Sequence, residues 1–314
     1  MRGWKGAAAL ALAAAAGGCT LTDVTVAPGE DRVVVEAVMR SDAVSQQVLL
    51  HRTLDGRFAE GVPGAEVSVV DVRTGQQYRF DEGGVCYSID PRYVESDSLD
   101  FRGTCYVTPP TMGEWVRPGT LYELRVRTPA GEEMRGRTTV PGVFVWRSPR
   151  PFPSDDEVSC ELPPNTALPL AWTRAQGAWS YVAQLRIAGL RDALAPQGVD
   201  APNVLELTGL AVSEADTTIL LPTEFGVFDR FEIDQDVLVA IQGGFPPRVD
   251  LDVVVAAADR NYVNGVRGGS FNPSGPVRVS SIAGDGVGVF GSLVPITGRI
   301  RVRTGAVNLC QVVR

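Results

Sequence analysis

Apolar residues at every second position recur in short runs from residue 32 onward, and Gly, Pro and Asp separate the runs. Successive side chains of a strand point to opposite faces of a sheet, so this period of two predicts half-buried β-strands. The predicted strands cover residues 32–39, 65–69, 77–80, 122–127, 181–187, 217–221, 237–242, 251–255, 277–280 and 300–303. Helical patterns are confined to residues 189–193 and 256–262. The sequence therefore predicts an all-β fold with minor short helices.

The length of the chain favours two domains. About 295 residues follow the first nineteen, which is long for one hydrophobic core. Residues 143–164 are dense in proline and contain an acidic run at 155–157. Proline has no N–H for an internal strand ladder, so we interpret 143–164 as a linker. The prediction is two β-sandwich-like domains, one at 20–142 and a second β-rich domain at 165–314.

The first nineteen residues have the pattern of an export signal. Arg2 and Lys5 precede an apolar stretch, and small residues lead to Cys19. This segment is too short to span a bilayer. Its end, Ala-Gly-Gly-Cys, matches a bacterial lipobox, which predicts an acylated Cys19 and a membrane anchor. The alternative is an ordinary signal peptide that is cleaved near Gly18. We expect a lipid-anchored protein of the cell envelope, at the outer membrane.

The remaining cysteines are even in number, which in an exported protein predicts two disulfides. They are Cys86, Cys105, Cys160 and Cys310. Four cysteines allow three connectivities. We favour Cys86–Cys105 as a local bridge and Cys160–Cys310 as a bridge between the first and last strands of the second domain. A metal site is the competing interpretation, but the spacings contain no C-x-x-C pair and the single histidine is distant in sequence, so no metal is predicted.

The charge balance makes nucleic acid an improbable partner. Removal of Arg2 and Lys5 leaves 27 of the 29 basic residues against 37 acids, a net charge of about −10. No basic patch with interleaved aromatic residues is evident in the sequence. Lys5 is the only lysine. This bias would suit bidentate carboxylate or phosphate recognition, but a GC-rich genome is the better explanation.

Few residues have the pattern of a catalytic site. The single histidine, His51, lies in a strand-like run, and the sequence has no G-x-S-x-G motif. We therefore predict no catalytic residue, no cofactor and no enzymatic activity. The acidic run around residue 234 is the one candidate ligand site. In an extended run Asp234 and Asp236 share a face and are a weak candidate for binding calcium. A solvated acidic loop is the alternative.

Three segments resemble a known family. Residues 272–291 read NPSGPVRVSSIAGDGVGVFG, residues 259–262 read DRNY, and residues 62–71 read VPGAEVSVVD. Together they resemble the uncharacterised envelope lipoproteins grouped as domain of unknown function 4249. The order of a PGAEVSVVD strand, a TG turn and a GTLYELRV strand resembles an immunoglobulin-like or carboxypeptidase-regulatory-like sandwich at 20–142. The family resemblance implies an outer-membrane lipoprotein associated with a transport receptor, without an established activity.

The glycines of this segment have two interpretations. Positions 284, 286, 288 and 291 supply positive φ or a close approach of two backbones, or they cradle a ligand. The first, in a structural turn and bulge, is favoured because no long helix follows that would bind a phosphate through its dipole.

Two functions follow from the sequence. The leading hypothesis is a non-enzymatic, lipid-anchored envelope protein that is a binding or accessory subunit of an outer-membrane assembly, with an outer-membrane receptor as partner. The alternative is a carbohydrate-binding module or a glycoside-directed enzyme that uses the acidic run near Asp234. Exposed tryptophans would support the alternative, but Trp115, Trp146 and Trp172 are expected to be buried or interdomain.

Overall fold

Strands dominate the structure, a computed structural model that describes residues 31–53, 60–84, 86, 103–149, 160–211, 213–224, 234–267, 279–306 and 309–310. The strands are β1 (Val33–Arg40), β2 (Gln47–Arg52), β3 (Glu66–Asp71), β4 (Gln77–Glu82), β5 (Thr104–Val107), β6 (Leu121–Arg127), β7 (Glu133–Thr139), β8 (Trp146–Ser148), β9 (Cys160–Leu162), β10 (Leu168–Trp172), β11 (Ser180–Ala188), β12 (Val204–Leu210), β13 (Thr218–Leu221), β14 (Asp250–Ala258), β15 (Ile282–Gly284) and β16 (Gly286–Val302). The helices are α1 (Leu190–Leu194), α2 (Gln235–Ile241) and α3 (Arg260–Arg267), with 3-10 turns at Pro110–Met112 and Ala195–Gln197. The all-β prediction with minor short helices is confirmed.

The strands are connected in two hydrogen-bonded arrays. The larger runs in the order β12-β11-β14-β16-β1-β2-β5-β4-β3-β6-β7-β15, and β9 pairs beside β16. The smaller has the order β13-β10-β8. Most neighbours are antiparallel, but β1 pairs with β16 in parallel. The first described strand therefore lies against the last.

The first half of the chain forms a sandwich because its strands alternate as predicted. On β3, Val67 and Val69 are buried, and on β6 Leu124 and Val126 are buried beside them. These side chains belong to the same apolar cluster as Val35 of β1. Each fully buried aliphatic side chain of this kind stabilises the fold by about 1.5 to 3 kcal/mol. The opposite faces of β3, β4, β6 and β7 are free to carry polar side chains.

Strand β16 connects the two halves. It pairs with β1 along Gly286–Leu293 and with β14 along Leu293–Arg301. Its glycines permit this close packing. A Cβ at Gly288, where φ is +135°, would lie 2.0 Å from the Val35 carbonyl oxygen, and a Cβ at Gly291 would lie 2.8 Å from the Tyr262 nitrogen. The glycines thus supply positive φ and close backbone approach as predicted, but most of the segment is strand rather than a turn.

The second half contains a sheet of β12, β11, β14 and β16 with the three-stranded sheet beside it. Trp172 of β10 and Tyr181 of β11 pack edge to face, with ring centroids 5.4 Å apart. Both belong to one apolar cluster that also includes side chains of the first half. Strands β8 and β9 fall within residues 143–164. The domain limits at 142 and 165 stay a prediction.

Two disulfides are present, as predicted. Cys86 bonds to Cys105 and Cys160 bonds to Cys310, with Cα–Cα distances of 5.4 and 4.9 Å. The first joins the start of a long connection to β5, and the second joins β9 to the C-terminal segment. Such bonds are typical of proteins outside the cytoplasm. Cys19 and the rest of the export signal lie outside the described residues.

Two of the predicted strands differ from the structure. Of residues 277–280, Val279 and Ser280 precede β15 and belong to no strand, while 277–278 lie outside the described residues. Residues 237–242 were predicted as a strand from their alternation, but Val237 and Ile241 lie on helix α2. An apolar run of six residues fits either structure, and the cap at Asp234 decides for a helix. The helix predicted at 256–262 begins only at Arg260, because Ala256–Ala258 pair with β11 and β16. None of the helices in the described part of the chain has the length and apolar character needed to cross a membrane.

Candidate functional site

The outward side of strands β4, β3, β6 and β7 is rich in arginine. Alternation buries one side of these strands and exposes the other. Five exposed arginines share the outward side, and they are Arg79, Arg125, Arg127, Arg135 and Arg137. Four acids lie on the same side: Glu66, Asp81, Glu123 and Glu133. The face is thus only slightly positive in sum, so its function depends on how these charges are arranged.

The register concentrates the positive charge in one row across the sheet. Ser68 of β3 pairs with Arg79 of β4 on one side and with Arg125 of β6 on the other. Arg125 in turn pairs with Arg135 of β7. We call these four residues the arginine row. The row contains three arginines and no acid, and Ser68 lies between Arg79 and Arg125.

The two flanking rows hold the acids. On one side Glu66 pairs with Arg127, which pairs with Glu133. On the other side Glu123 pairs with Arg137. Opposite charges on directly opposed residues attract, whereas like charges repel. The arginine row is therefore the one place on this face where arginines stand side by side, at Arg125 and Arg135.

Glu123 fixes two of the guanidinium groups. Its carboxylate accepts a hydrogen bond from Arg125 Nε at 2.8 Å and another from Arg137 Nε at 2.8 Å. The Glu123 side chain is 8% exposed, while those of Arg125 and Arg137 are 52% and 66% exposed. The Arg125 and Arg137 guanidinium groups hold the pKa of the Glu123 carboxyl below its usual range. The carboxylate is charged at neutral pH and orients both arginines.

The other members of the arginine row have fewer partners. Arg135 Nη2 lies 4.0 Å from Glu133, at the limit of an ion pair. Within the described part of the chain, Arg79 forms no ion pair and the Ser68 hydroxyl forms no hydrogen bond. Ser68 is 9% exposed, so its hydroxyl lies at the base of the row. The row thus presents hydrogen-bond donors that the fold itself does not use.

A row in the second half has the opposite character. Glu206 of β12 pairs with Arg186 of β11, Arg186 pairs with Asp252 of β14, and Asp252 pairs with Arg299 of β16. We call this the alternating row. Arg299 Nε donates to Asp252 Oδ1 at 2.7 Å, and Arg186 lies 3.3 Å from Asp252 and 3.8 Å from Glu206. Each charge in this row has an opposite neighbour.

A buried polar cluster surrounds Asp259. Its carboxylate accepts hydrogen bonds from the backbone of Tyr262 at 2.9 Å, the backbone of Ser292 at 3.0 Å and the hydroxyl of Thr138 at 2.7 Å. Burial raises the pKa of Asp259. These bonds cap helix α3 and connect it to β7 and β16. The DRNY segment therefore has a structural role at the junction of the two halves.

The single histidine is buried on β2. His51 Nδ1 lies 2.7 Å from the Arg52 carbonyl oxygen, and Nε2 lies 3.7 Å from a Glu36 carboxylate oxygen. Neither contact involves a serine or cysteine nucleophile. The pair is consistent with a buried structural contact between β1 and β2.

The predicted acidic site is a helix cap. Asp234 is the N-cap of α2, and its carboxylate accepts a hydrogen bond from the Asp236 backbone at 2.8 Å. The extended geometry assumed for Asp234 and Asp236 is therefore wrong, because capping aspartates bind the free N–H groups of a first turn. Asp229 and Glu232, from the same run, lie outside the described residues. Among the residues that the structure describes, no group of three His, Cys, Asp or Glu side chains is placed to hold a metal ion.

The described tryptophans present little exposed ring surface on which a sugar could stack. Trp115 and Trp172 are buried, and Trp115 stacks on Tyr78 with centroids 3.9 Å apart. Trp146 donates its indole N–H to the Thr297 carbonyl at 2.9 Å. Trp179 is 47% exposed, but Arg260 lies over its ring at 5.2 Å.

The arginine row was missed by the sequence analysis. The pairing of Arg125 with Arg135 could have been predicted, because R-x-R occurs at 125–127 and again at 135–137 on either side of a Pro-Ala-Gly turn. An antiparallel hairpin about that turn places Arg125 opposite Arg135. The position of Arg79 had no local signal, since it depends on β3 lying between β4 and β6.

Comparison with known proteins gives no family. No protein-family model matches the chain, and no curated protein matches it. Among solved structures, the chain is similar to the FN1–FN3 domains of chicken CNTN1, with 11% identity over 88% of this chain and 67% of that one and a TM-score of 0.18. It is also similar to fibronectin(III)-like modules of Clostridium thermocellum CbhA, with 10% identity over 86% of this chain and 94% of that one and a TM-score of 0.21. The resemblance to domain of unknown function 4249 stays a prediction.

Proposed function

We propose that this chain is a non-enzymatic, lipid-anchored protein of the bacterial cell envelope that binds an anionic partner of an outer-membrane assembly through the arginine row. The observation that carries the proposal is the arrangement of Arg79, Ser68, Arg125 and Arg135 across an exposed sheet face. Arg125 and Arg135 stand directly opposite each other and Arg79 has no ion-pair partner among the described residues, so like-charge repulsion within the row costs energy that an anionic partner would reduce.

The expected location of the protein outside the cytoplasm also supports the proposal. Two disulfides are expected of a protein that folds outside the cytoplasm. The lipobox at Cys19 supplies a membrane anchor in the proposal, and the sandwich presents its outward face to a partner. The chain needs no catalytic group for this function, and His51 and Asp259 have structural contacts instead.

The test compares two pairs of arginines in matched positions. Arg79 and Arg125 flank Ser68, and Arg186 and Arg299 flank Asp252. Tagged full-length chain, with either pair changed to Gln, is recovered from detergent-solubilised envelopes, and the copurifying material is quantified. We expect the Arg79→Gln/Arg125→Gln chain to lose its partner and the Arg186→Gln/Arg299→Gln chain to keep it. Equal recovery with both would contradict the proposal.

Mass spectrometry of the same preparations tests the anchor. The proposal predicts a mature chain that begins at Cys19 and carries acyl groups. A mature chain without acyl groups would overturn the lipid-anchored part of the proposal, and would leave the arginine-row comparison to decide the rest.

A further inference from the structure

We propose that the arginine row is a phosphate-binding site, with Arg79, Ser68 and Arg125 as the residues that contact the phosphate. This inference deepens the proposed function, on which it rests, by naming the chemical group that the partner presents. It follows from the geometry of the row, the donors that remain available in it and the acids that border it.

The geometry places three donor groups around one point. Neighbouring strands lie about 4.8 Å apart, so the backbones of Arg79 and Arg125 are separated by roughly 10 Å with Ser68 midway. Side chains on one face of a sheet project the same way, and both arginines are exposed. Two guanidinium groups can therefore approach an anion above Ser68 from opposite sides, while the serine hydroxyl lies beneath it.

The available donors favour phosphate over a carboxylate. Arg125 uses Nε on Glu123, which leaves its Nη groups for another acceptor. Arg79 and the Ser68 hydroxyl have no such partner within the described residues. A guanidinium carries five N–H donors in a planar fork. Free phosphate or a phosphate monoester offers at least three unesterified acceptor oxygens in a tetrahedral arrangement, whereas a carboxylate offers two in a plane, so such a phosphate uses more of the donors.

Glu123 prepares the site for binding. Its carboxylate is buried and bonded to Nε of Arg125, which restricts the rotation of that side chain before any anion arrives. Immobilising a long side chain costs conformational entropy on binding, and prior restriction removes part of this cost. Glu123 is therefore a positioning residue, which acts through Arg125.

The bordering acids limit the size of the ligand. Glu66 and Glu133 stand in the next row along the strands, on either side of Arg127. A nucleic acid carries many phosphates and would extend over these acids, which would repel it. A single phosphate group fits within the arginine row alone. The site thus selects an isolated phosphate, whether on a lipid headgroup or free in solution.

The experiment is a titration of arginine side-chain signals by NMR. The full mature chain, labelled with ¹⁵N-arginine, is held in phosphate-free dodecyl maltoside micelles and titrated with inorganic phosphate, glycerol 1-phosphate or an oligoglutamate peptide. We expect saturable shifts of the Arg79 and Arg125 Nε–Hε signals with both phosphates, and none at Arg186 or Arg299. Arg125→Gln should weaken phosphate binding about tenfold and Ser68→Ala about threefold.

Three outcomes overturn the inference. They are the absence of saturable shifts, equal shifts in the alternating row, and tighter binding of oligoglutamate than of either phosphate, which would indicate an acidic protein partner. The source of the phosphate is resolved by nanodiscs that contain phosphatidic acid, whose headgroup is a phosphate monoester. If the row binds the headgroup, the shifts appear without added phosphate, and if it binds free phosphate they appear only on titration.

The failure of this inference can be distinguished from failure of the proposed function. If the Arg79→Gln/Arg125→Gln chain loses its envelope partner but the wild-type row binds no phosphate, the binding function stands and the phosphate assignment is wrong. If the row binds phosphate but partner recovery is unaffected by the same change, the assembly role is wrong and the site stands.

Discussion

The two rows of charge on this protein have the same geometry and different composition. Each crosses four strands, and each has two arginines flanking a central residue. In the alternating row the centre is Asp252, which binds both arginines. In the arginine row the centre is Ser68, which neutralises neither. The arginines of the alternating row are all paired with acids of the same row, whereas those of the arginine row are not, and this difference is why we propose the arginine row as the binding surface.

The acids that bind the arginines lie in different places in the two rows. Asp252 lies within its row and neutralises the arginines directly. Glu123 lies beside the arginine row and holds Arg125 while leaving part of its guanidinium exposed. Both acids stabilise the fold, but in the proposal Glu123 also orients Arg125 toward a partner.

The largest expected effect comes from the strand that both halves share. Gly288→Ala would place a Cβ within 2.0 Å of the Val35 carbonyl oxygen at a φ of +135°. We expect the free energy of unfolding to fall by about 3 kcal/mol or more, since both the backbone strain and the displaced β1–β16 pairing contribute. Urea denaturation would measure it.

The same variant also tests whether the two rows unfold in one transition. Because β16 pairs with both β1 and β14, tryptophan fluorescence and NMR signals from both rows should report one transition. Gly243→Ala is the control, since a Cβ there meets nothing within 4 Å and stability should change by less than about 0.5 kcal/mol. An unchanged midpoint for Gly288→Ala, or separate transitions for the two rows, would contradict this account of β16.

The next effect concerns the acid beside the arginine row. Glu123→Gln removes the charge that binds Arg125 and Arg137 and should lower the free energy of unfolding by about 1 kcal/mol at neutral pH. Because the folded pKa of Glu123 is lowered, its contribution is present above the ordinary carboxyl pKa and is lost as pH falls through the folded pKa.

Urea titrations at neutral pH and at about pH 3 measure this difference. The gap between wild type and Glu123→Gln should narrow on acidification. Glu133→Gln is the matched control, because Glu133 is exposed and 4.0 Å from Arg135, and it should change stability by less than about 0.5 kcal/mol. A gap that widens at low pH would show that the carboxylate is not stabilised by its arginines.

The variant with the smallest expected effect tests whether the central residue alone decides whether a row can bind phosphate. Asp252→Ser leaves Arg186 and Arg299 on either side of a serine, as Arg79 and Arg125 lie beside Ser68. We expect a loss of stability of about 0.5 to 1 kcal/mol and new, weak phosphate-dependent shifts of the Arg186 and Arg299 signals. If phosphate leaves those signals unchanged, the support from Glu123 matters more than the central serine.

The sequence predicts much of this fold because local alternation reports burial. Strands β1, β3 and β6 have the predicted limits to within two residues, and both disulfides pair as favoured. Residues 237–242 were assigned wrongly because a six-residue apolar run fits a strand or a helix equally. The cap at Asp234 that resolves this choice is a local signal.

The candidate site was less accessible to sequence reasoning. The pairing of Arg125 with Arg135 follows from one hairpin and is local. The approach of Arg79 to Arg125 depends on β3 lying between β4 and β6, which is set by the order of strands in the sheet. That order is a property of long-range packing, so the position of Arg79 in the row could not be predicted from the sequence.

The most direct test of the central claim compares two glutamines that stand beside the two rows. Gln77 is exposed two residues from Arg79, and Gln184 is exposed two residues from Arg186. A photo-crosslinking phenylalanine analogue replaces each in turn, and cells that express the full chain are irradiated. The account predicts a crosslinked partner from position 77 and none from position 184. Crosslinks from position 184 alone, or equal crosslinks from both positions, would contradict the claim that the arginine row is the binding surface.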